Sequence, residues 1–455
     1  MFFWWLIAVL IARVRSESSS ATYWSATVSA IRDAGGVVSA KLTHSSSAAS
    51  ERGVRAAEDI AAGELLLSVP DALVLRRSDV IGSERVLNGS SLSAYGALTL
   101  HLLRLSSAAA DAQASWSARE RALMARLAAA APCASCAFSV TASKHLSYAS
   151  GEHLKRVRAQ YRVDRATIAH RFGVAAAPAA ADRVYCYVLS HALQLSALER
   201  PELAPFPDVL ATFPSDYAVV PGFDLFGHSM RDNTVTSLEN GHWTVRTRLA
   251  YSAGTPVTIR YGSLANVQLL MQYGFVLDAN PYDVLHLTVA PFPQDVNAAF
   301  KQKLIDERFG AFAERRFARG GAVGVNRTAV PVGLSAQALA SLRLVVLQPE
   351  LVSSIIVGRI FSGQPAGPLL SEANTQLALY RGCEALAQVN RPAPDAQAKR
   401  DDATAVASLK MRKQEFELAK QCERSAYNAV LALQMKLDER ISGGMSAERA
   451  GALAI

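Results

Sequence analysis

Apolar residues recur at helical spacing through "YWSATVSAIRDAGG" (Tyr23 to Gly36) and stop at a glycine pair, after which "LLLSVP" (Leu65 to Pro70) closes a strand. From Ser91 to Ala211 the chain is alanine-rich and helical in pattern, in stretches such as "ALTLHLLRL", "RERALMARLAAAA" and "EHLKRVRAQYRVDRATIAHRF". The period then changes. "HWTVRTRLAYSAGTPVTIRYG" alternates over Trp243, Val245, Thr247 and Leu249, turns at Ala253-Gly254-Thr255-Pro256, and resumes as a strand over Val257 to Tyr261. After about Phe292 the patterning is nearly all helical, with long stretches at Ser335 to Leu347, Ser371 to Val389 and Asp401 to Ile441.

Two segments echo each other: "AAEDIAAGELLLSVP" and "RLAYSAGTPVTIRYG" each set a glycine turn just before a hydrophobic strand. This suggests one β-rich domain, residues 22–291, with a helical insertion at about 91–211 between its halves, and a helical domain over 292–445. The expected fold class is α+β.

At 455 residues, half of them apolar and 19% charged, the chain can bury sizeable cores and is expected to be globular over most of its length. Lys and Arg exceed Asp and Glu by 47 to 39, a net +8. Spread over this length the surplus reads mostly as solvated surface, one that suits an acidic protein partner or a weak nucleic-acid contact. No dense Lys/Arg run marks a phosphate-binding stripe, so a specific nucleic-acid partner is not expected.

The N-terminus changes the picture more. "MFFWWLIAVLIARVRSESSS" carries an apolar run from Phe2 to Ala12, too short to span a bilayer and fitting the hydrophobic region of a signal peptide over residues 1–16. Val14 and Ser16 supply small residues for cleavage before Glu17, leaving no stable membrane span, while Arg13 and Arg15 after the run fit an uncleaved anchor instead. Asn88-Gly89-Ser90 and Asn326-Arg327-Thr328 are glycosylation triplets consistent with a secretory route. Five cysteines are too few and too scattered for a disulfide framework. Cys133-Ala-Ser-Cys136, without a second pair, reads as a local disulfide or two inert thiols and not as a zinc site, and no metal is expected.

"PGFDLFGHSM" (Pro221 to Met230) contains Gly-His-Ser-Met, the front of a hydrolase nucleophile elbow. An elbow needs a helix behind its serine and a small residue two places on; here that place holds Arg231, and turn-forming and strand-like residues follow. The same stretch reads better in company. "RGVRAAEDIAAGELLLSVP" (Arg52 to Pro70), "VLSHA" (Val188 to Ala192), "VVPGFDLFGHS" (Val219 to Ser229) and "IRYGSLANVQLLMQYGF" (Ile259 to Phe275) follow in that order. Together they resemble the SET-domain protein methyltransferases, in the subclass of the Rubisco large-subunit lysine methyltransferase and the actin-histidine methyltransferase. The resemblance runs over nearly all the chain, and its most specific part is YGxxxNxxLLxxYGF from Tyr261 to Phe275.

That resemblance implies a SET β-structure with a helical insertion and an all-α C-terminal substrate-binding domain, with S-adenosylmethionine as cofactor. It implies a protein substrate, methylated on a lysine or histidine nitrogen by a monomeric enzyme. By the family's pattern Tyr261 is the catalytic hydroxyl. Asp224 and His228 match the DxxNH segment beside the cofactor, with Asp224 also holding the target side chain. Tyr273 and Phe275 match aromatic positions lining the cofactor and substrate pocket. Ser190 matches the Ser of a Ser-Arg pair that meets substrate, and Ser50 to Gly53, with Arg52, forms the turn at the cofactor's amino-acid end. Gly227 stands where the family has Asn and His191 where it has Arg, losing a polar contact and a permanent bidentate charge. Both departures leave room for a catalytically silent SET-fold binding module. The leader implies the secretory pathway or an organelle reached through it; the family's habit implies the cytoplasm or a plastid.

Overall fold

The computed structural model describes residues 24–45, 53–82, 92–107, 116–129, 146, 148–172, 178–195, 198, 217–231, 233–262, 264–278, 280, 282–288, 295–309, 322–326, 333–334, 336–362, 364–365, 367–392 and 403–446. They divide into two compact units: one drawn from Met1–Cys136, Arg156–Asp208 and Thr212–Leu264, the other from Ala137–Lys155, Val209–Ala211 and Ala265–Ile455.

The first unit opens with helix α1 (24–33), which ends at the glycine pair where the Gly36 N–H bonds the Ile31 carbonyl at 2.8 Å. Strands β1 (Val37–Val38), β2 (Leu42–Ser45), β3 (Gly53–Ala56), β4 (Leu65–Pro70) and β5 (Leu75–Arg76) follow. The helical insertion holds α2 (Arg77–Gly82), α3 (Ala94–Ser106), α4 (Ala118–Ala129), α5 (Tyr148–Phe172) and α6 (Pro178–His191), the turns of α5 from Arg156 onward belonging to this unit. The chain then returns to strands: β6 (Leu193–Gln194), β7 (Tyr217–Val219), β8 (Gly227–His228), β9 (Thr234–Glu239), β10 (His242–Thr247) and β11 (Thr258–Ile259).

The largest sheet is antiparallel in the order β1-β4-β10-β9. Its centre is made by the two strands whose periodicity was plainest. Leu66, Leu67 and Val69 of β4 and Trp243, Val245 and Thr247 of β10 are buried, and the Trp243 indole N–H is satisfied by Asp71 Oδ1 at 2.8 Å. The alternation stops at Thr247. Leu249, expected in the same run, lies past the end of β10 and is 58% exposed.

The echoing segments pair with each other. Ile60 and Tyr251 exchange both backbone hydrogen bonds at 2.9 Å, and the Ala56 N–H bonds the Thr255 carbonyl at 2.9 Å. In the insertion, the buried Asp164 carboxylate collects the Ser93 backbone N–H (2.9 Å), the Ser93 hydroxyl (2.5 Å), the Gln160 amide (3.0 Å) and the Tyr185 hydroxyl (3.2 Å), fixing the N-cap of α3. Burial raises its pKa against the pull of those donors.

The second unit begins with a helical turn, α7 (Asn266–Gln268), continued as a π-turn over Leu269–Tyr273. It then holds β12 (Val284–Thr288), α8 (Ala298–Phe309), β13 (Ala322–Asn326), β14 (Gly333–Leu334), α9 (Ala336–Val345), α10 (Ser354–Phe361), α11 (Leu369–Asn390) and α12 (Ala403–Ser442). The antiparallel sheet β12-β13-β14 falls partly where helical patterning was expected. Beyond it the unit is helical. α11 and α12 form an antiparallel hairpin, shown by the pairs Tyr380 with Tyr427, Cys383 with Cys422 and Asn390 with Glu415.

Cys383 and Cys422, both buried, are joined by a disulfide with a Cα–Cα distance of 5.8 Å. The cysteine spacing did not foretell this bridge, and Cys133 and Cys136 lie outside the described residues. Two buried ion pairs accompany it: Arg343 grips Glu372 through two bonds of 2.9 Å, and Lys301 Nζ meets Asp295 Oδ2 at 2.5 Å and the Leu347 carbonyl. Among the described residues no helix is long and apolar enough to cross a membrane.

Candidate active site

The site of the first unit is assembled where two short strands run in parallel. After β7, Gly222 leads into a one-turn 3-10 helix, Phe223–Leu225, anchored by the buried Phe223 and Leu225. Asp224 accepts the Gly222 N–H at 3.1 Å, so part of its carboxylate fixes its own turn. The chain then extends through Phe226 into β8, which pairs in parallel with β11 through Gly227 opposite Thr258 and His228 opposite Ile259. The Ser229 N–H continues the ladder to the Ile259 carbonyl at 3.0 Å.

Tyr261 lies two residues past β11, beyond the end of the strand expected to contain it, which is paired only over Thr258–Ile259. Two bonds hold it. Its hydroxyl donates to the Phe226 carbonyl at 2.6 Å, and its backbone N–H donates to His228 Nδ1 at 3.1 Å. The two rings lie 5.0 Å apart, tilted by 35°. Burial first, and the Arg260 guanidinium second, push His228 down to about 4, so its imidazole is neutral at ordinary pH. A neutral ring with a bare Nδ1 is what the Tyr261 N–H requires.

Gly53, at the start of β3, backs the same stretch. Its φ of +134° suits glycine, and a Cβ there would come within 3.2 Å of the Leu225 carbonyl oxygen and 3.5 Å of the Gly227 nitrogen. At Gly227 the geometry is permissive: a Cβ would meet only Thr258 Cγ2 at 3.7 Å, ordinary contact, so a larger residue fits. Gly53, Phe226, Gly227, His228 and Tyr261 therefore form one cluster in which glycine backbone lies beside a phenol. Ser50 and Arg52 lie outside the described residues.

Ser190 and His191 close helix α6. The Ser190 hydroxyl bonds the Cys186 carbonyl at 2.8 Å and lies 2.8 Å from His191 Nδ1, which in turn lies 2.9 Å from the Tyr187 carbonyl; the His191 ring stacks on Tyr187 at 4.4 Å. These contacts are with their own helix end. Tyr273 and Phe275 belong to the second unit, their rings 6.4 Å apart across Gly274, whose φ of +80° ends the π-turn.

Two further contacts, one in each unit, were not read from the letters. The Phe226 carbonyl is a backbone atom and leaves no trace in a side-chain pattern. Asn266, the polar residue of YGxxxNxxLLxxYGF, is buried and binds the Asp283 carboxylate, the Leu277 N–H (2.8 Å) and the Leu277 carbonyl (2.9 Å), stapling 277–283 to the start of α7. Its place inside the motif was the available signal. Among the described residues no group of three or more His, Cys, Asp or Glu is arranged to hold a metal ion.

No family model and no curated protein matches the chain. Solved structures do. The SET domain of LSMT bound to lysine and AdoHcy superposes with a TM-score of 0.69 at 16% identity, covering 92% of this chain and 93% of that one. The same domain bound to methyl-lysine and AdoHcy gives 0.67 at 16%, covering 91% and 92%, and Rubisco LSMT bound to AdoMet gives 0.67 at 16%, covering 92% and 93%. The likeness establishes the fold: a SET-domain β-structure with a helical insertion and a helical C-terminal region.

Proposed function

We propose that the chain is an S-adenosylmethionine-dependent protein N-methyltransferase acting on a lysine, or alternatively a histidine, side chain. The observation that carries the reading is the Tyr261 hydroxyl, fixed on the Phe226 carbonyl at 2.6 Å beside the bare backbone of Gly53 and Gly227. The fold is shared with LSMT structures that hold AdoMet, AdoHcy and lysine.

The fit of the cofactor rests on the glycines. At Gly53 a Cβ would crowd the Leu225 carbonyl, and at Gly227 the space a Cβ would take is open, so a ligand can approach the chain closely there. S-adenosylmethionine supplies a methyl group on a cationic sulfur, transferred to nitrogen by in-line displacement. The residues present have the work of alignment and desolvation. With its proton given to the Phe226 carbonyl, the Tyr261 oxygen turns lone pairs outward, toward an incoming amine or an electron-poor methyl. The Phe226 carbonyl adds a second fixed dipole of the same sense. Neither group needs to change protonation state, which suits a reaction whose nucleophile arrives already neutral.

The second reading, a SET-fold protein that binds a peptide without transferring methyl groups, draws on Gly227 and on Ser190 and His191, whose side chains bond their own helix end. Calorimetric titration with S-adenosylmethionine, followed by radiolabelled methyl transfer into a lysate of the source organism, separates the two. Micromolar binding with labelling of a protein band is expected, and absence of binding at millimolar cofactor would replace the enzyme by the binding module.

We place its work in an oxidising compartment. The buried Cys383–Cys422 bridge and the apolar run Phe2 to Ala12 support this. N-terminal sequencing of the native protein should begin near Glu17, and an intact Met1 on protein from the cytosol would end the secretory reading.

A further inference from the structure

We infer that His228 is a positioning residue for Tyr261, acting through Nδ1 on the tyrosine's backbone, and is not a ligand of the cofactor. The inference rests on the proposed methyl transfer for its catalytic consequence and on geometry alone for the assignment. In a parallel pair the bonds alternate from strand to strand, so after Ser229 N–H to Ile259 the next would run from the Tyr261 N–H to a backbone carbonyl of the facing strand. The ladder breaks there. The Tyr261 N–H goes to the His228 imidazole at 3.1 Å, a bond that draws the backbone of Tyr261 toward β8.

The consequence appears at the other end of the same residue. The Tyr261 hydroxyl reaches the Phe226 carbonyl, two residues before His228, so the tyrosine is tied at its backbone and at its phenol to one three-residue stretch. A tyrosine has two side-chain torsions, and with both ends pinned the hydroxyl has one direction to point. Losing the Nδ1 bond frees the backbone end and lets the oxygen shift by the fraction of an ångström that alignment-dependent chemistry feels strongly.

The arrangement demands an imidazole bare at Nδ1. The charged side chain whose field reaches it is Arg260 and the titratable ring against it is that of Tyr261; burial and Arg260 outweigh the backbone bond with Ile259, which favours the protonated form, and that form would turn an N–H against the tyrosine amide. The sequence pattern assigns His228 to the cofactor, but the geometry uses Nδ1 inward, on the protein.

His228→Leu and His228→Asn test this in the full-length protein, since asparagine sets Oδ1 at the bond distance from the backbone where histidine has Nδ1, and leucine keeps bulk without an acceptor. Three readouts are taken: hydrogen exchange at the Tyr261 amide by mass spectrometry, S-adenosylmethionine affinity by calorimetry, and single-turnover methyl transfer, with Tm as a check on folding. Expected for leucine are about tenfold faster exchange at that amide and about tenfold or greater loss of rate, with affinity held within about twofold. Asparagine should recover the protection and bring the rate back to within about fivefold of wild type. Equal weakening of cofactor affinity in both variants would make His228 a ligand and overturn the inference. Unchanged exchange in the leucine variant, or an asparagine variant as impaired as the leucine one with the same loss of Tm, would also overturn it. If the wild-type protein transfers no methyl group the proposed function fails, and the exchange readout still decides whether His228 holds Tyr261.

Discussion

Around Tyr261, beside strands of two residues each, single hydrogen bonds tie the phenol to a carbonyl and the backbone N–H to an imidazole, whereas the α11–α12 hairpin of the second unit is held by rows of buried apolar side chains and a covalent bridge. The first region buries apolar anchors such as Phe223, Phe226 and Ile259, but the direction of its phenol depends on individual polar atoms. The second averages over many contacts and tolerates the loss of any one noncovalent partner. Where one hydroxyl has to point in one direction, precision comes from point constraints; the hairpin has no such requirement.

The largest way to break the contrast is to cut the covalent tie. A loop of 39 residues closed by the Cys383–Cys422 bridge restricts the unfolded chain by about 4 kcal/mol. Cys383→Ala, or reduction of the wild type, should lower Tm by roughly 10 °C, and identical melting of oxidised and reduced protein would show that the hairpin stands without it.

The next effect is on the other region and is set by pH. An unfolded histidine takes up a proton near pH 6.5, while His228 in the folded protein refuses it until about 4. Between those values the unfolded state binds more protons, so stability falls as pH drops from 6.5 to 4, by up to about 3 kcal/mol, and levels off below. Chemical denaturation across this range should show the slope, and His228→Asn should flatten it.

Tyr261→Phe sharpens the comparison at the scale of one atom. Loss of the hydroxyl is expected to cut methyl transfer on the order of a hundredfold, about 3 kcal/mol, with little change in cofactor affinity because the ring still packs. Equal transfer by both proteins would remove Tyr261 from the reaction. The smallest change runs the other way. Gly227→Asn fits the open position beside Thr258 and should tighten cofactor binding by up to about tenfold through one regained hydrogen bond, about 0.5 to 1.5 kcal/mol; unaltered affinity in calorimetry would show that this position does not face the ligand.

What the sequence disclosed divides along the same line. β4 was legible as a hydrophobic run behind a glycine turn and β10 through its alternation over Trp243, Val245 and Thr247, and Tyr261 was singled out because a specific motif surrounds it. The strand Val257 to Tyr261 was overextended, since apolar spacing cannot tell a paired residue from one whose N–H is taken by a side chain. Strands β13 and β14 are short and rich in Gly, Ala and Val, carrying no period that helical neighbours do not mask. The Cys383–Cys422 pairing is a property of helix register across a hairpin and cannot be read from cysteine spacing. For Ser190 and His191 a family pattern named the positions, but the hydrogen bonds they make within their own helix end follow from local geometry.

The pairing of the two echoing turn-strand segments sets an order of assembly. The Arg55 guanidinium and the Gly254 carbonyl it meets are 199 residues apart, with the helical insertion between them. Closing so long a loop costs only slightly more than closing one half its length, so the insertion can grow or shrink with little thermodynamic effect on the sheet. Time is affected more. During synthesis β3 emerges behind its neighbour β2, but its other side must wait until the ribosome has delivered Tyr251 to Val257, by which point α3 to α6 have had many seconds to form from local contacts. Tyr261 follows immediately behind that late partner, so its hydroxyl takes its place on the Phe226 carbonyl only as the sheet closes.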